Sequence, residues 1–163
     1  MKIPFSPPYI DEAVISEVVD SLQSGWITTG PKVKALEEEI KNFSGAKEVL
    51  CVNSWTSGAI MMLHWLGVKE GDEVIVPAYT YSATALAVIH AGAKPVMVDS
   101  NADFNISVES IRNAITEKTK AIIPVDIAGF PCDYDRIMAL VSEPEIRKLF
   151  CPESKVQERL GRI

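Results

Sequence analysis

Between Glu48 and Val125 the chain switches back and forth between two hydrophobic periods, a pattern that few folds accept. Four apolar runs, Glu48 to Val52, Glu73 to Val76, Pro95 to Asp99 and Ala121 to Val125, are too short for helices. Stretches with helical spacing separate them: Thr56 to Leu66, Ser82 to Ala91 and Ser107 to Ile115. Short runs rich in Val and Ile and bounded by turn residues predict buried strands. Parallel neighbours need a crossover, and a helix is the usual one, so the alternation predicts an α/β fold: a mostly parallel sheet flanked by helices.

Two amphipathic helices are predicted upstream. Asp11 to Leu22 places Val14, Ile15, Val18, Val19 and Leu22 on one face before Gly25, and Val33, Leu36, Ile40 and Phe43 form a second stripe that ends at Gly45. The chain therefore reads as a helical segment over 1–45, a βα core over 46–130, and a helical or irregular stretch over 131–163 interrupted by Pro144 and Pro152. With 163 residues, 47% of them hydrophobic, it can bury a core as one domain.

In such sheets ligands gather outside the carboxyl ends of the strands. Three loops fall there: the turn Asn53-Ser54-Trp55-Thr56-Ser57-Gly58-Ala59, the loop holding Tyr79, Thr80 and Tyr81, and Asp126. Ser, Thr and Gly at a helix N-terminus suit a phosphate, because the first N–H groups lack partners and carry the positive end of the helix dipole; the same residues are ordinary N-caps. Either tyrosine ring has a surface for a flat cofactor, or covers the core. His64 and His90 sit in apolar helical stretches without a partner at ligand spacing and read as structural. Lys118, Lys120, Lys148 and Lys155 read as solvated charges.

A net charge of −6 with acids and bases interleaved argues against nucleic acid or membrane as the main partner and favours small-molecule chemistry. Cys51, Cys132 and Cys151 lack metal-site spacing and would leave one thiol unpaired, which points to a reducing compartment. Met1-Lys2-Ile3-Pro4 lacks the apolar core of a signal peptide, so the expected location is cytoplasmic. No glycine fingerprint of a dinucleotide fold or P-loop occurs.

Taken in order, Gly25-Trp26-Ile27-Thr28-Thr29-Gly30-Pro31, the Asn53–Ala59 turn, Gly71 to Thr84, and Ala91 to Asp99 resemble the DegT/DnrJ/StrS family of pyridoxal-phosphate sugar aminotransferases. The resemblance runs from about Ile3 to about Tyr134. It implies the N-terminal portion of the large domain of a fold-type I transferase. It also implies pyridoxal 5′-phosphate as cofactor, an amino-acid donor such as glutamate, a keto-sugar nucleotide acceptor, and a homodimer with the site between subunits. The family's phosphate motif, Ser-Gly-Thr-Ala-Ala, stands here as Ser54-Trp55-Thr56-Ser57-Gly58, which carries phosphate contacts to Thr56 and Ser57 and puts Trp55 where the family has Gly. By the same match Tyr81 is the ring-stacking aromatic, and Thr28 and Gly30 belong to a loop near the substrate that a plain turn explains nearly as well.

Asp126 matches the strand before the family's pyridine-binding acid, where many relatives carry His, so it is a candidate pocket residue and not that acid. Neither the acid nor the cofactor-bearing lysine has a counterpart in these residues; the family pattern places both later. The expectation is the N-terminal part of a longer enzyme, inactive alone. Two alternatives stand beside it: a non-catalytic binding or interaction module, and a sugar dehydratase of the same family in which His replaces the lysine.

Overall fold

The computed structural model describes residues 7–163, so the Met1–Pro4 stretch lies outside the described residues. The chain divides into two compact units, Met1–Cys51 and Val52–Ile163. In the first, α1 (Glu12–Gln23) starts at Asp11, whose carboxylate accepts the Val14 N–H at 3.0 Å. Helix α2 (Pro31–Ser44) begins with Pro, where no N–H is needed, and ends at Gly45 in the left-handed region. Lys32 joins the two helices through Glu17 at 2.6 Å and Asp20 at 2.8 Å. Val14, Ile15, Val18, Val19 and Leu22 nevertheless remain exposed.

The second unit is built on a three-stranded parallel sheet of β1 (Glu73–Pro77), β2 (Lys94–Val98) and β3 (Thr119–Ile122), in the order β2-β1-β3. Around it lie α3 (Trp55–Trp65), α4 (Ala83–His90), α5 (Val108–Ala114), α6 (Tyr134–Ser142), α7 (Pro144–Leu149) and α8 (Lys155–Leu160). Side chains alternate across a strand, and β1 uses both faces. Ile75 packs with Ile106, Ile111 and Leu140 on one side; Val74 and Val76 pack with Leu63, Val68 and Val88 on the other. All three β1 side chains are fully buried, each contributing roughly 1.5–3 kcal/mol of apolar burial.

Three local expectations are corrected. Glu48 to Val52 forms no strand ladder, and Leu50 and Val52 stay exposed. An apolar run becomes a strand only beside a neighbour that takes its hydrogen bonds, and β2-β1-β3 provides none among the described residues. Strand β3 ends before Val125, because Pro124 has no N–H for the ladder; the last bond runs from Ile123 N to Ile75 O at 2.9 Å. Lys120 is not solvated: its side chain is 1% exposed. Its ammonium donates to the Cys151 carbonyl, pairs with Glu153 at 3.2 Å and lies 5.9 Å from the centre of the Phe150 ring.

The C-terminal stretch that covers Lys120 is fastened to the end of α3. Gln157 Nε2 and Ser154 Oγ both donate to the Leu66 carbonyl, at 2.9 and 3.1 Å, while Gln157 Oε1 accepts the Glu153 N–H. Among the described residues no helix is long and apolar enough to cross a membrane.

Lys120→Met keeps the stem and removes the charge, leaving the Cys151 carbonyl without its donor. Glu153 still has Lys69 at 2.6 Å, so the loss should stay near that of one buried partner, about 2 kcal/mol. Urea unfolding should show a lower midpoint with an unchanged slope.

Candidate functional site

The hydroxyl-rich turn forms the start of α3. Ser54 is its N-cap in extended backbone, and Ser54 Oγ accepts the Ser57 N–H at 3.1 Å, with the two hydroxyls 3.0 Å apart. One of the first helical N–H groups is thereby satisfied, while those of Trp55 and Thr56 have no partner within the helix and face its open end. Thr56 sits in the first turn, half-buried.

A cavity of about 560 Å³ opens beside this turn, lined by Thr56, Thr80, Tyr81, Thr84, Asp126 and Tyr134 among others. Its loops follow the carboxyl ends of β1 and β3, where a parallel sheet places its ligand loops. The two loop tyrosines have different environments. Tyr79 packs its ring 5.2 Å from Phe104, whereas Tyr81 is 81% exposed and lines the cavity. The Thr80 and Thr84 hydroxyls share a hydrogen bond of 3.0 Å that orients this wall.

Asp126 supplies the cavity's carboxylate. Its Oδ1 accepts the Cys132 N–H and the Tyr134 hydroxyl, each at 2.9 Å. Those bonds, the backbone one first, hold the Asp126 carboxyl below the usual carboxylate range. Burial, and then the adjacent carboxylate, push the Tyr134 phenol up to about 12. Sequence reading did not single out Tyr134. The only signal was its place at the start of α6, where Asp133 caps the helix through the Arg136 N–H.

Ser57 adjoins Thr56 but does not line the cavity. Thr28 and Gly30 line another cavity, of about 460 Å³, in the N-terminal unit. There the Trp26 indole N–H donates to the Thr29 carbonyl at 3.0 Å, and the ring lies so close to Gly30 that a Cβ there would overlap it. Space, and not backbone freedom, requires glycine at this position. His64 and His90 are exposed, on α3 and α4. Among the described residues no lysine lines the Thr56 cavity, and no cluster of His, Cys, Asp and Glu is arranged to hold a metal.

Parallel strands with hydroxyl, aromatic and acidic loops at their carboxyl ends have the layout of an α/β ligand-binding scaffold, and the comparisons with known proteins give the class. The chain belongs to the DegT/DnrJ/EryC1/StrS aminotransferase family, which matches residues 8–148. It is 47% identical over 139 residues to the UDP-4-amino-4-deoxy-L-arabinose–oxoglutarate aminotransferase of Shewanella sediminis, a match covering 85% of this chain and 36% of that protein. It is 42% identical over 139 residues to the spore coat polysaccharide biosynthesis protein SpsC of Bacillus subtilis, with the same two coverages. Among solved structures, the PLP form of Spr1654 from Streptococcus pneumoniae, provisionally named a sugar aminotransferase, superposes with a TM-score of 0.94 at 50% identity, over 100% of this chain and 41% of that one. The chain spans about 36–38% of the length of the curated relatives it matches.

The Asp126–Tyr134 pair has opposite linkage at the two ends of the pH scale. The depressed Asp126 carboxyl stabilises the fold above its unfolded value, near 3.9, and that contribution is lost as pH falls through its folded value. The raised Tyr134 phenol stabilises the fold below its unfolded value, near 10, and that contribution is lost as pH rises towards about 12. An alkaline titration at 295 nm should therefore contain a late component that Tyr134→Phe removes and Asp126→Asn brings to lower pH.

Proposed function

We propose that this chain forms the cofactor-anchoring part of a pyridoxal 5′-phosphate-dependent aminotransferase that moves an amino group from glutamate to a keto-sugar nucleotide. One observation carries the reading: Thr56 at the mouth of α3, the uncommitted ring of Tyr81, and Asp126 line a single cavity at the carboxyl ends of parallel strands. Family membership and the names of the Shewanella relative and the Streptococcus structure support the same chemistry.

The residues present fit the cofactor. The Trp55 and Thr56 N–H groups and the Thr56 hydroxyl suit its phosphate, with the Ser57 hydroxyl one residue further on. Tyr81 offers a ring face not already packed on protein, and about 560 Å³ is within the usual range of ligand pockets. When bound, the cofactor supplies an electron sink for bond-breaking at the amino-bearing carbon. Asp126, ionised at neutral pH and already oriented by Cys132 and Tyr134, accepts hydrogen bonds from donors on the ligand. Thr28 and Gly30 are proposed to contact the sugar nucleotide in a homodimeric enzyme. The three free thiols, Cys51, Cys132 and Cys151, accord with a cytoplasmic location.

Equilibrium dialysis against pyridoxal 5′-phosphate tests the anchor. Binding should be saturable, about tenfold weaker in Tyr81→Ala, and nearly unchanged in Tyr81→Phe, because the ring face and not the hydroxyl makes the contact. Equal occupancy in the wild type and Tyr81→Ala would remove Tyr81 from the site.

A further inference from the structure

We infer that the loop Asn101–Asn105, between β2 and α5, is a bracket that positions both walls of the Thr56 cavity while lining neither. The inference rests on that cavity being the binding site. Asn105 is 2% exposed, and its amide spans the neighbouring loop: Nδ2 donates to the Phe130 carbonyl at 3.0 Å and the Pro131 carbonyl at 3.1 Å, and Oδ1 accepts the Ile127 N–H at 3.1 Å. Asp126 immediately precedes the first of those partners, and Cys132 immediately follows the last. Asn105 thus sets the spacing between the carboxylate and the backbone N–H that orients it.

The bridged loop does not hold this shape by local preference. Ala128 lies in the left-handed region at φ 53°, which a residue bearing a Cβ adopts only when its surroundings impose it. The same bracket reaches the opposite wall through Phe104, also left-handed at φ 67°. Its ring packs on Tyr79, the residue before cavity-lining Thr80. The bracket is itself closed tightly: Asn101 N donates to Asn105 O at 2.8 Å, Phe104 N to Asn101 O at 2.9 Å, and Asn105 N to Asp103 Oδ1 at 3.1 Å. Asn105 and Phe104 are therefore positioning residues. They act through Asp126 on one side and the Tyr79–Tyr81 loop on the other.

The test reads Asp126 and Tyr134 directly, by carbon NMR of the carboxyl and by absorbance of the phenol, in this chain carrying Asn105→Ala. The carboxyl should titrate at higher pH and the phenol at lower pH than in the wild type. Val68→Ala, which thins the core cluster on the other face of the sheet, apart from Ile106 and Cys132, serves as the control: it should lower the melting temperature and move neither titration. Asn105→Ser, which retains one short hydrogen-bonding group, should shift both titrations part of the way, and it decides the matter if the alanine variant does not fold. Unmoved titrations in the Asn105 variants, or equal shifts in Val68→Ala, would overturn the bracket. Affinity for pyridoxal 5′-phosphate should fall about tenfold in Asn105→Ala, the equivalent of one lost hydrogen bond. If the wild type binds no pyridoxal 5′-phosphate, the proposed function fails, while the two titrations still judge the bracket.

Discussion

Everything in the larger unit depends on burial of β1 from both sides. Val74, Ile75 and Val76 send alternate side chains into two separate clusters, so neither face of the sheet can be left to solvent. A central parallel strand of this kind needs helices on both faces, and its neighbours β2 and β3 run the same way. Once strands are parallel, their carboxyl ends lie together at one edge of the sheet. The loops that leave β1 and β3 at that edge border the same cavity because of this direction, and not because they attract one another.

Polar satisfaction then shapes the edge. The loop after β3 has no ladder for its backbone, so side chains take over: Asn105 serves Ile127, Phe130 and Pro131, and Asp126 serves Cys132. Each bond in a poorly hydrated position contributes about 1 kcal/mol net, but leaving one partner unsatisfied costs more than the bond returns. A loop held in this way is fixed by the penalty for opening it. That rigidity fixes the orientation of the Asp126 carboxylate at the cavity wall.

What the sequence alone revealed follows the range of the interactions involved. Helix starts were readable because their signals are local: Asp11, Ser54 and Ser107 each cap within three residues. β1 and β2 were readable because their apolar runs are short and bounded. Glu48 to Val52 has the same appearance but no neighbouring strand, and no local pattern reports the presence of a neighbour. Lys120 and Asn105 look like ordinary polar residues of a strand edge and a turn. Their partners Cys151, Glu153, Phe130 and Pro131 lie 25 or more residues away, so their burial becomes visible only in three dimensions. Tyr134 was hidden for a related reason: its hydroxyl meets Asp126 across a loop whose course depends on Asn105.

At the turn that starts α3 the cap does not use up the helix N-terminus. Capping by Ser54 uses the Ser57 N–H and leaves the N–H groups of Trp55 and Thr56 at the helix mouth. The cap fixes the geometry of the turn, and the remaining groups stay available to a ligand. Trp55 does not disturb this arrangement. It is the first helical residue, a position whose backbone suits any side chain, and its ring is 54% exposed and lines the cavity. The bulky residue therefore adds an apolar wall to the cavity without closing the N-terminus of the helix.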